Sequence, residues 1–171
     1  KNIKEVNLFI TGVGNVGGFL IEQIANQKEF IAKNLKIDLK VLGISNSRKM
    51  IISDSEIDLK NWSKNLDKSK MIANSTDFQS KILELNLRNS LFIDNTASDL
   101  IPKTYNEYLN NGIGIITCNK IANSGTLSNY QNLKTLSRNN NCSFLYETNV
   151  GAALPVICLL YTSPSPRDGS E

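Results

Sequence analysis

Val6-Asn7-Leu8-Phe9-Ile10-Thr11-Gly12-Val13-Gly14-Asn15-Val16-Gly17 is the stretch that decides how this chain folds. The run VNLFIT, Val6 to Thr11, is short and apolar and reads as a buried strand. The glycines follow at once in the spacing GxGxxG. From Asn15 to about Ala32, Phe19, Leu20, Ile24 and Ile31 then recur toward one face of a helix. Strand, glycine loop and helix in that order suit a phosphate-binding turn. Gly12 permits the tight turn, Gly14 lets the backbone approach a pyrophosphate, and Gly17 lets helix and strand pack closely. The exposed N–H groups at the helix start, from Asn15 and Val16 on, join the aligned peptide dipoles in favouring phosphate charge. A GxGxxG alone is weak evidence, but its place between strand and helix predicts a dinucleotide site. The alternative is a glycine-rich turn that holds nothing. No GxxxxGK[ST] occurs, which disfavours a nucleoside triphosphatase.

Outward from this turn the same rhythm repeats. Asp38 to Ile44 is a second strand; Ser45 to Ser75 is polar, with one short helix near Leu59 to Leu66. Thr76 to Asn86 reads as a helix capped by Thr76 or Ser75, and Leu91 to Asp94 as a third strand. Pro102 opens a helix to Asn111, and Ile113 to Thr117 is a fourth strand. Leu127 to Asn140 is a helix and Ser143 to Tyr146 a fifth strand. Short apolar runs alternating with amphipathic helices predict an α/β fold, a Rossmann-like, doubly wound and mostly parallel sheet.

Bulk properties narrow the function. A chain of 171 residues, 40% hydrophobic and 20% charged, holds one ordinary domain with a real core. The net charge of +3 is mild and its lysines are scattered, which argues against nucleic acid. The chain has no histidine, and Cys118, Cys142 and Cys158 form no CxxC pair, so a zinc site is not expected and the thiols read as free. No apolar run is long enough to span a bilayer and the start has no signal-peptide pattern, so the expectation is a cytoplasmic protein without membrane contact. The chain does not open with methionine, so we expect it to begin inside a longer polypeptide.

The end of the second strand bears on the cofactor. A site selective for NAD usually places Asp or Glu there to hold ribose hydroxyls. Here the sequence is Ser45-Asn46-Ser47-Arg48-Lys49, with no acid. Arg48 is suited to fork onto a ribose 2′-phosphate, with Lys49 adding charge. This favours NADP, with NAD as the alternative; the bland reading makes both residues solvated loop cations.

Three more segments stand at the carboxyl ends of predicted strands, where a doubly wound sheet collects ligands. They are Asp94-Asn95-Thr96-Ala97-Ser98, Thr117-Cys118-Asn119-Lys120, and Glu147-Thr148-Asn149-Val150-Gly151-Ala152-Ala153-Leu154-Pro155. Together with GVGNVG they resemble homoserine dehydrogenase. Ser45-Asn46-Ser47 and Ile57-Asp58-Leu59-Lys60-Asn61-Trp62 resemble the form fused behind an aspartate kinase. The resemblance runs from about Val6 to Ile157. It implies nicotinamide-dependent interconversion of L-aspartate 4-semialdehyde and L-homoserine, on the way to threonine and methionine. It also implies that the full-length enzyme is a homo-oligomer with a small-molecule substrate.

By the same resemblance Gly12, Gly14, Asn15, Val16, Gly17, Asn46, Arg48, Asn119 and Lys120 would contact the dinucleotide, and Thr96, Ala97 and Ser98 would line the nicotinamide. Lys120 is expected to be catalytic, assisting proton transfer at the carbonyl oxygen. A free lysine, with a pKa of about 10.4, is too basic for easy exchange, and burial beside a cationic nicotinamide would lower it. Glu147 and the carbonyls of Val150, Ala152 and Leu154 match residues associated with a monovalent cation, sodium or potassium; an irregular turn would supply such oxygens. Glu147 is alternatively a substrate-positioning group. Two departures stand out: Ala153 replaces a frequent glycine, which would be strained at φ > 0, and Cys118 replaces a frequent proline.

The final stretch reads differently. Cys158 to Asp168, CLLYTSPSPRD, shows no helix or strand logic after Leu160 and resembles translated adapter sequence used in preparing sequencing libraries. The expected division is a dinucleotide-binding domain over 1–157 and a non-native, disordered tail over 158–171. The family's substrate domain would lie beyond Pro155, so this stretch is expected to bind dinucleotide and turn over little. Two other readings remain: a non-catalytic dinucleotide-binding regulatory module, and another amino-acid or semialdehyde dehydrogenase on the same fold. An acylating semialdehyde dehydrogenase would need a nucleophilic cysteine, and no histidine base exists here.

Overall fold

The computed structural model describes residues 2–123, 125 and 127–162, with the side chains at positions 15, 16, 17 and 123 left aside. Its centre is the strand read first, β1 (Lys4–Thr11), which runs directly into the glycine turn and α1 (Asn15–Leu35). The helix carries the chain back for β2 (Ile37–Ser45), parallel to β1. The short β3 (Met50–Ile52) then turns back antiparallel on β2. After α2 (Trp62–Asp67) and α3 (Ser75–Leu85), the chain crosses to the other side of β1 and lays down β4 (Ser90–Asp94). A 3₁₀ turn (Ile101–Thr104), α4 (Tyr105–Asn110), β5 (Gly114–Thr117), α5 (Lys120–Asn123), α6 (Leu127–Asn139) and β6 (Phe144–Tyr146) follow. A second 3₁₀ turn (Val150–Ala152) leads into α7 (Ala153–Thr162).

The sheet order is β3-β2-β1-β4-β5-β6, and every pairing except β2–β3 is parallel. The chain reverses its direction of travel across the sheet between β1 and β4, so the crevice at their carboxyl ends is the topological switch point. Strand alternation divides the core into two layers. Val6, Leu8 and Ile10 of β1 face Leu20, Ile21 and Ile24 of α1 and Leu154 and Ile157 of α7. Phe9 and Phe92 face the other way, onto Phe78 of α3 and Tyr108 and Leu109 of α4. Both faces of the central strands are thus covered, which is why they read as continuous apolar runs.

Differences from the sequence expectations have local causes. Strand β3 was not anticipated: Met-Ile-Ile is too short to show a period, and the turn before it supplies the geometry. Helix α3 is capped by Asn74, whose side chain accepts the Asp77 N–H at 2.9 Å, instead of by Ser75 or Thr76. Helix α7 continues through Thr162, past the expected break at Leu160. Ile157 is buried in the α1 layer, and Cys158, Leu160 and Tyr161 pack against it half-buried. Residues 163–171 of the expected tail lie outside the described residues. Among the described residues no helix is long and apolar enough to cross a membrane.

Candidate functional site

At the switch point a cleft of about 580 Å³ opens between the turn after β1, the loop after β2, the start of α3 and the loop after β4. Its wall includes Gly12, Gly14, Asn46, Asn95, Thr96 and Ser98. Its volume lies in the usual range for small-molecule sites, about 300–1,000 Å³. The glycine turn sets its shape. Gly12 has φ +82°, and a Cβ there would sit 2.6 Å from the carbonyl carbon of Asn95 and 2.9 Å from the Thr96 nitrogen. The ends of β1 and β4 approach so closely because position 12 has no side chain. Around Gly14, φ −75°, nothing lies within 4 Å of an added Cβ, so the backbone there is open to a ligand. Helix α1 begins one residue later; the side chains of Asn15 and Val16 and the surroundings of Gly17 lie outside what is described.

The loop after β2 is built as an Asx turn. Asn46 Oδ1 accepts the N–H groups of Arg48 at 2.8 Å and Lys49 at 2.7 Å, and the Asn46 N–H donates to the Lys49 carbonyl at 3.0 Å. This presents Asn46 and Ser47 to the cleft and leaves Arg48 exposed beside it. Lys49 goes elsewhere. Its Nζ donates to the carbonyls of Ser69 at 2.7 Å and Asp67 at 3.4 Å, at the end of α2, where a cation suits the helix dipole. The charge that sequence reasoning gave to Lys49 is therefore spent on the fold, and Arg48 stands without it.

Behind the loop after β4 lies a buried polar network that was not anticipated. Asp94 is fully buried. Its Oδ1 accepts the Thr96 N–H at 2.9 Å and the Thr96 hydroxyl at 2.7 Å. Its Oδ2 accepts the Tyr105 hydroxyl at 2.5 Å and Asn119 Nδ2 at 3.1 Å. The Tyr105 oxygen also lies 2.8 Å from Thr117 Oγ1. Burial, then the charge of Asp94, push the Tyr105 phenol far above its ordinary range, so it stays a donor. Asn119 is equally buried. Its amide donates to the Ser98 carbonyl at 2.8 Å and Thr96 Oγ1 at 3.3 Å, and its Oδ1 accepts the Ile121 N–H at 2.9 Å at the start of α5. Asn119 thus ties two loops together from below and does not line the cleft. Sequence reading could flag a strand-end Asp as needing partners, but nothing local revealed that Tyr105 would face it.

Lys120 is the first residue of α5, and its side chain is exposed. Glu147 is half-buried, and its backbone N–H donates to the Thr117 carbonyl at 2.9 Å, which places it at the end of β6 beside β5. The oxygens of Val150, Ala152 and Leu154 do not belong to an irregular turn as expected. Val150 and Ala152 form a 3₁₀ turn whose Val150 carbonyl accepts the Ala153 N–H, and Leu154 lies in the first turn of α7. The run ALPVICLLY is apolar enough to dock on α1 as a helix, with Pro155 in the first turn where no N–H is missed. Ala153 has φ −63°, so the replacement of glycine brings no strain. Among the described residues no group of three or more Cys, Asp or Glu could hold a metal ion. Cys118 is half-buried, and burial with the charges of Glu147 and Asp94 pushes its thiol up to about 11. That leaves it a poor nucleophile at neutral pH and counts against acylating chemistry.

Comparison with known proteins agrees with this arrangement. A bifunctional aspartokinase/homoserine dehydrogenase of Buchnera aphidicola is 35% identical over 156 residues, 91% of this chain and 19% of that protein. A chloroplastic bifunctional aspartokinase/homoserine dehydrogenase 2 of Zea mays is 38% identical over 152 residues, 88% of this chain and 17% of that protein. This chain therefore spans less than a fifth of the length of either. Among solved structures, a hyperthermophilic archaeal homoserine dehydrogenase in complex with NADPH matches 84% of this chain and 44% of its own with a TM-score of 0.65. At 23% identity that likeness concerns the fold alone. The family model described as the NAD-binding domain of homoserine dehydrogenase matches residues 12–147, and the chain belongs to that family.

Proposed function

We propose that this chain binds a nicotinamide dinucleotide, preferentially NADP, along the cleft at the β1–β4 switch point. It would do so as part of a cytoplasmic, homo-oligomeric enzyme that interconverts L-aspartate 4-semialdehyde and L-homoserine. The observation that carries the reading is the Gly12 turn: a positive-φ glycine packed on the Asn95–Thr96 backbone, followed by the uncrowded Gly14 and the start of a 21-residue helix. The first N–H groups of that helix have no partner within it, and they and the helix dipole suit a pyrophosphate.

When bound, the nicotinamide supplies or accepts a hydride. The chain's own residues do the rest. Thr96, Ala97 and Ser98 border the nicotinamide half of the site. Asn46 and Ser47 border the adenosine ribose, with Arg48 alone facing the 2′-phosphate. Lys120, at the start of α5, holds a proton for the oxygen that becomes an alkoxide as the aldehyde carbon gains hydride. A sodium or potassium ion at Glu147, with the carbonyls of Val150, Ala152 and Leu154, belongs to the same reading. Those carbonyls would offer the lone pair left over from their helical bonds.

The test is a titration of the purified chain with NADPH and NADH, followed by nicotinamide fluorescence, with circular dichroism on the same sample. NADPH should bind more tightly. Arg48→Ala should weaken NADPH about tenfold, the low end for a lost charge-assisted bond at an exposed site, and leave NADH unchanged. A folded chain that binds neither would overturn the reading.

A further inference from the structure

Within Asp94-Asn95-Thr96-Ala97-Ser98, every polar side chain but one is engaged. Asp94 accepts four hydrogen bonds. Thr96 Oγ1 takes the Ser98 N–H at 3.2 Å, and Ser98 Oγ takes the Leu100 N–H at 3.0 Å. Asn95 is the exception. Both its Nδ2 and its Oδ1 are shielded from solvent, and neither has a hydrogen-bond partner among the described residues. The residue lines the cleft, and its own backbone is what Gly12 packs against. One strand away, Thr11 is 5% exposed, lines the same cleft, and also has an unpartnered Oγ1. The two residues are joined by the Asn95 N–H donating to the Thr11 carbonyl at 3.1 Å. Two unspent polar groups thus flank the crevice between β1 and β4.

A shielded amide with no partner is costly, and proteins keep such groups where function uses them. The cost also makes the group easy to move, because it leaves no hydrogen bond behind when it turns. We propose that Asn95 is a dinucleotide-binding residue, whose amide rotates into the cleft to hold ribose hydroxyls. The inference rests on the dinucleotide reading above. The chemistry selects the ribose: an amide offers one acceptor and a pair of donor hydrogens, and a hydroxyl pair asks for both. Phosphate asks only for donors, which the glycine turn and α1 already present. Asn46 and Ser47 border the adenosine ribose, so the ribose left to the end of β4, beside Thr96, is the one that carries the nicotinamide.

The experiment compares the full chain with its Asn95→Ala and Asn95→Leu variants, Leu keeping nearly the same shape. Three readouts are taken: NADH and NADPH affinity, affinity for NADH analogues lacking a 3′-hydroxyl on one ribose or the other, and melting temperature without ligand. The expected result is an affinity for both dinucleotides about tenfold weaker in each variant, as for one lost bond to a ligand. The melting temperature should be unchanged or higher, because no bond that stabilises the free protein is removed. One deoxy analogue should bind the parent chain worse than NADH but bind Asn95→Leu equally well. Unchanged affinity in both variants overturns the proposal and leaves dinucleotide binding standing. Weaker binding accompanied by a lower melting temperature in both overturns it too, since the amide would then support the loop. If the folded parent chain binds no dinucleotide, the broader reading fails and this proposal with it.

Discussion

Replacing Gly12 with alanine tests the geometry on which the site depends. The new Cβ would lie 2.6 Å from the Asn95 carbonyl carbon, 2.8 Å from its oxygen and 2.9 Å from the Thr96 nitrogen. All three are backbone atoms at the end of β4, held by the Asn95 N–H to Thr11 carbonyl bond and by Asp94 beneath, so they cannot swing aside like a flexible side chain. The alanine must also accept φ +82°, which costs about 1–2 kcal/mol for a residue with a Cβ. Forcing the two strand ends apart adds about 1–3 kcal/mol, as for an overpacked core. The sum, about 2–5 kcal/mol, corresponds to a fall in melting temperature of roughly 5–20 °C for a chain of this size. Gly14→Ala is the matched control. Nothing lies within 4 Å of its added methyl, and the cost to the free protein should stay near about 1 kcal/mol, the N-cap preference of glycine over alanine. Thermal unfolding by circular dichroism and NADPH titration on the same samples give the answer. Gly12→Ala should lose stability and binding together, while Gly14→Ala should lose mainly binding, its methyl standing where the pyrophosphate approaches. A Gly12→Ala chain melting within about 1 °C of the parent and binding as well would refute the close-approach argument.

Three further outcomes follow from buried and half-buried polar groups. Tyr105 and Tyr108 both have folded pKa values raised by burial, so their stabilising contribution is complete below the unfolded value near 10 and is lost as pH rises above it. Denaturant melts should therefore show stability falling beyond about pH 10, with a shallower fall in Tyr105→Phe; equal slopes would sink the assignment. Cys118 and Cys142, both pushed up to about 11 from 9.0, should alkylate with iodoacetamide about a hundredfold more slowly at neutral pH than an ordinary thiol, and fast labelling at pH 7 would contradict the structure. Asn119→Ala removes the amide that serves Asp94, Thr96 and Ser98 and uncaps α5; it should cost about 2–4 kcal/mol in denaturation and weaken dinucleotide binding with it, whereas a stable variant with weakened binding would place Asn119 in contact with the ligand after all.

What was legible in the sequence follows from which interactions are local. VNLFIT and the glycine spacing declare themselves because strand, turn and helix are consecutive, although the atoms that exclude a side chain at Gly12 belong to Asn95 and Thr96, far along the chain. The doubly wound, mostly parallel character of the sheet was equally legible, since alternating strands and helices leave few topologies open, while the short β3 was not. The Asx turn at Asn46 is a local device too, but its effect on Lys49 was not. Which of two adjacent cations stays free depended on α2, some twenty residues on, presenting its last carbonyls. The segment after Glu147 misled for a different reason. TNVGA looks like turn chemistry until the apolar face beyond it finds α1, and burial of Leu154 and Ile157 then fixes the helix. Tyr105 stands within a helix opened by proline and gave no local sign of its partner, because the bond to Asp94 is made only once β4 and α4 are packed.

The buried carboxylate raises the question of why the fold keeps a charge beneath its site. An unpaired carboxylate at full burial would be untenable, and an apolar residue of similar volume would be easier to bury. Asp94 is tolerated because four donors converge on its two oxygens, two on each. Those donors come from three separate places: the loop after β4, helix α4, and the residue that caps α5. Each oxygen is therefore occupied and shielded, and Asp94 does not border the cleft. Its role is positional. By drawing Thr96 down on one side and Asn119 on the other, it fixes the loop that borders the cleft and the start of the helix that carries Lys120. A neutral, isosteric amide at position 94 would keep one acceptor and set an NH2 against the other pair of donors, so either Thr96 or the Tyr105–Asn119 pair would lose its anchor. One buried charge thus sets the separation between the cleft wall and the lysine that is proposed to serve the chemistry.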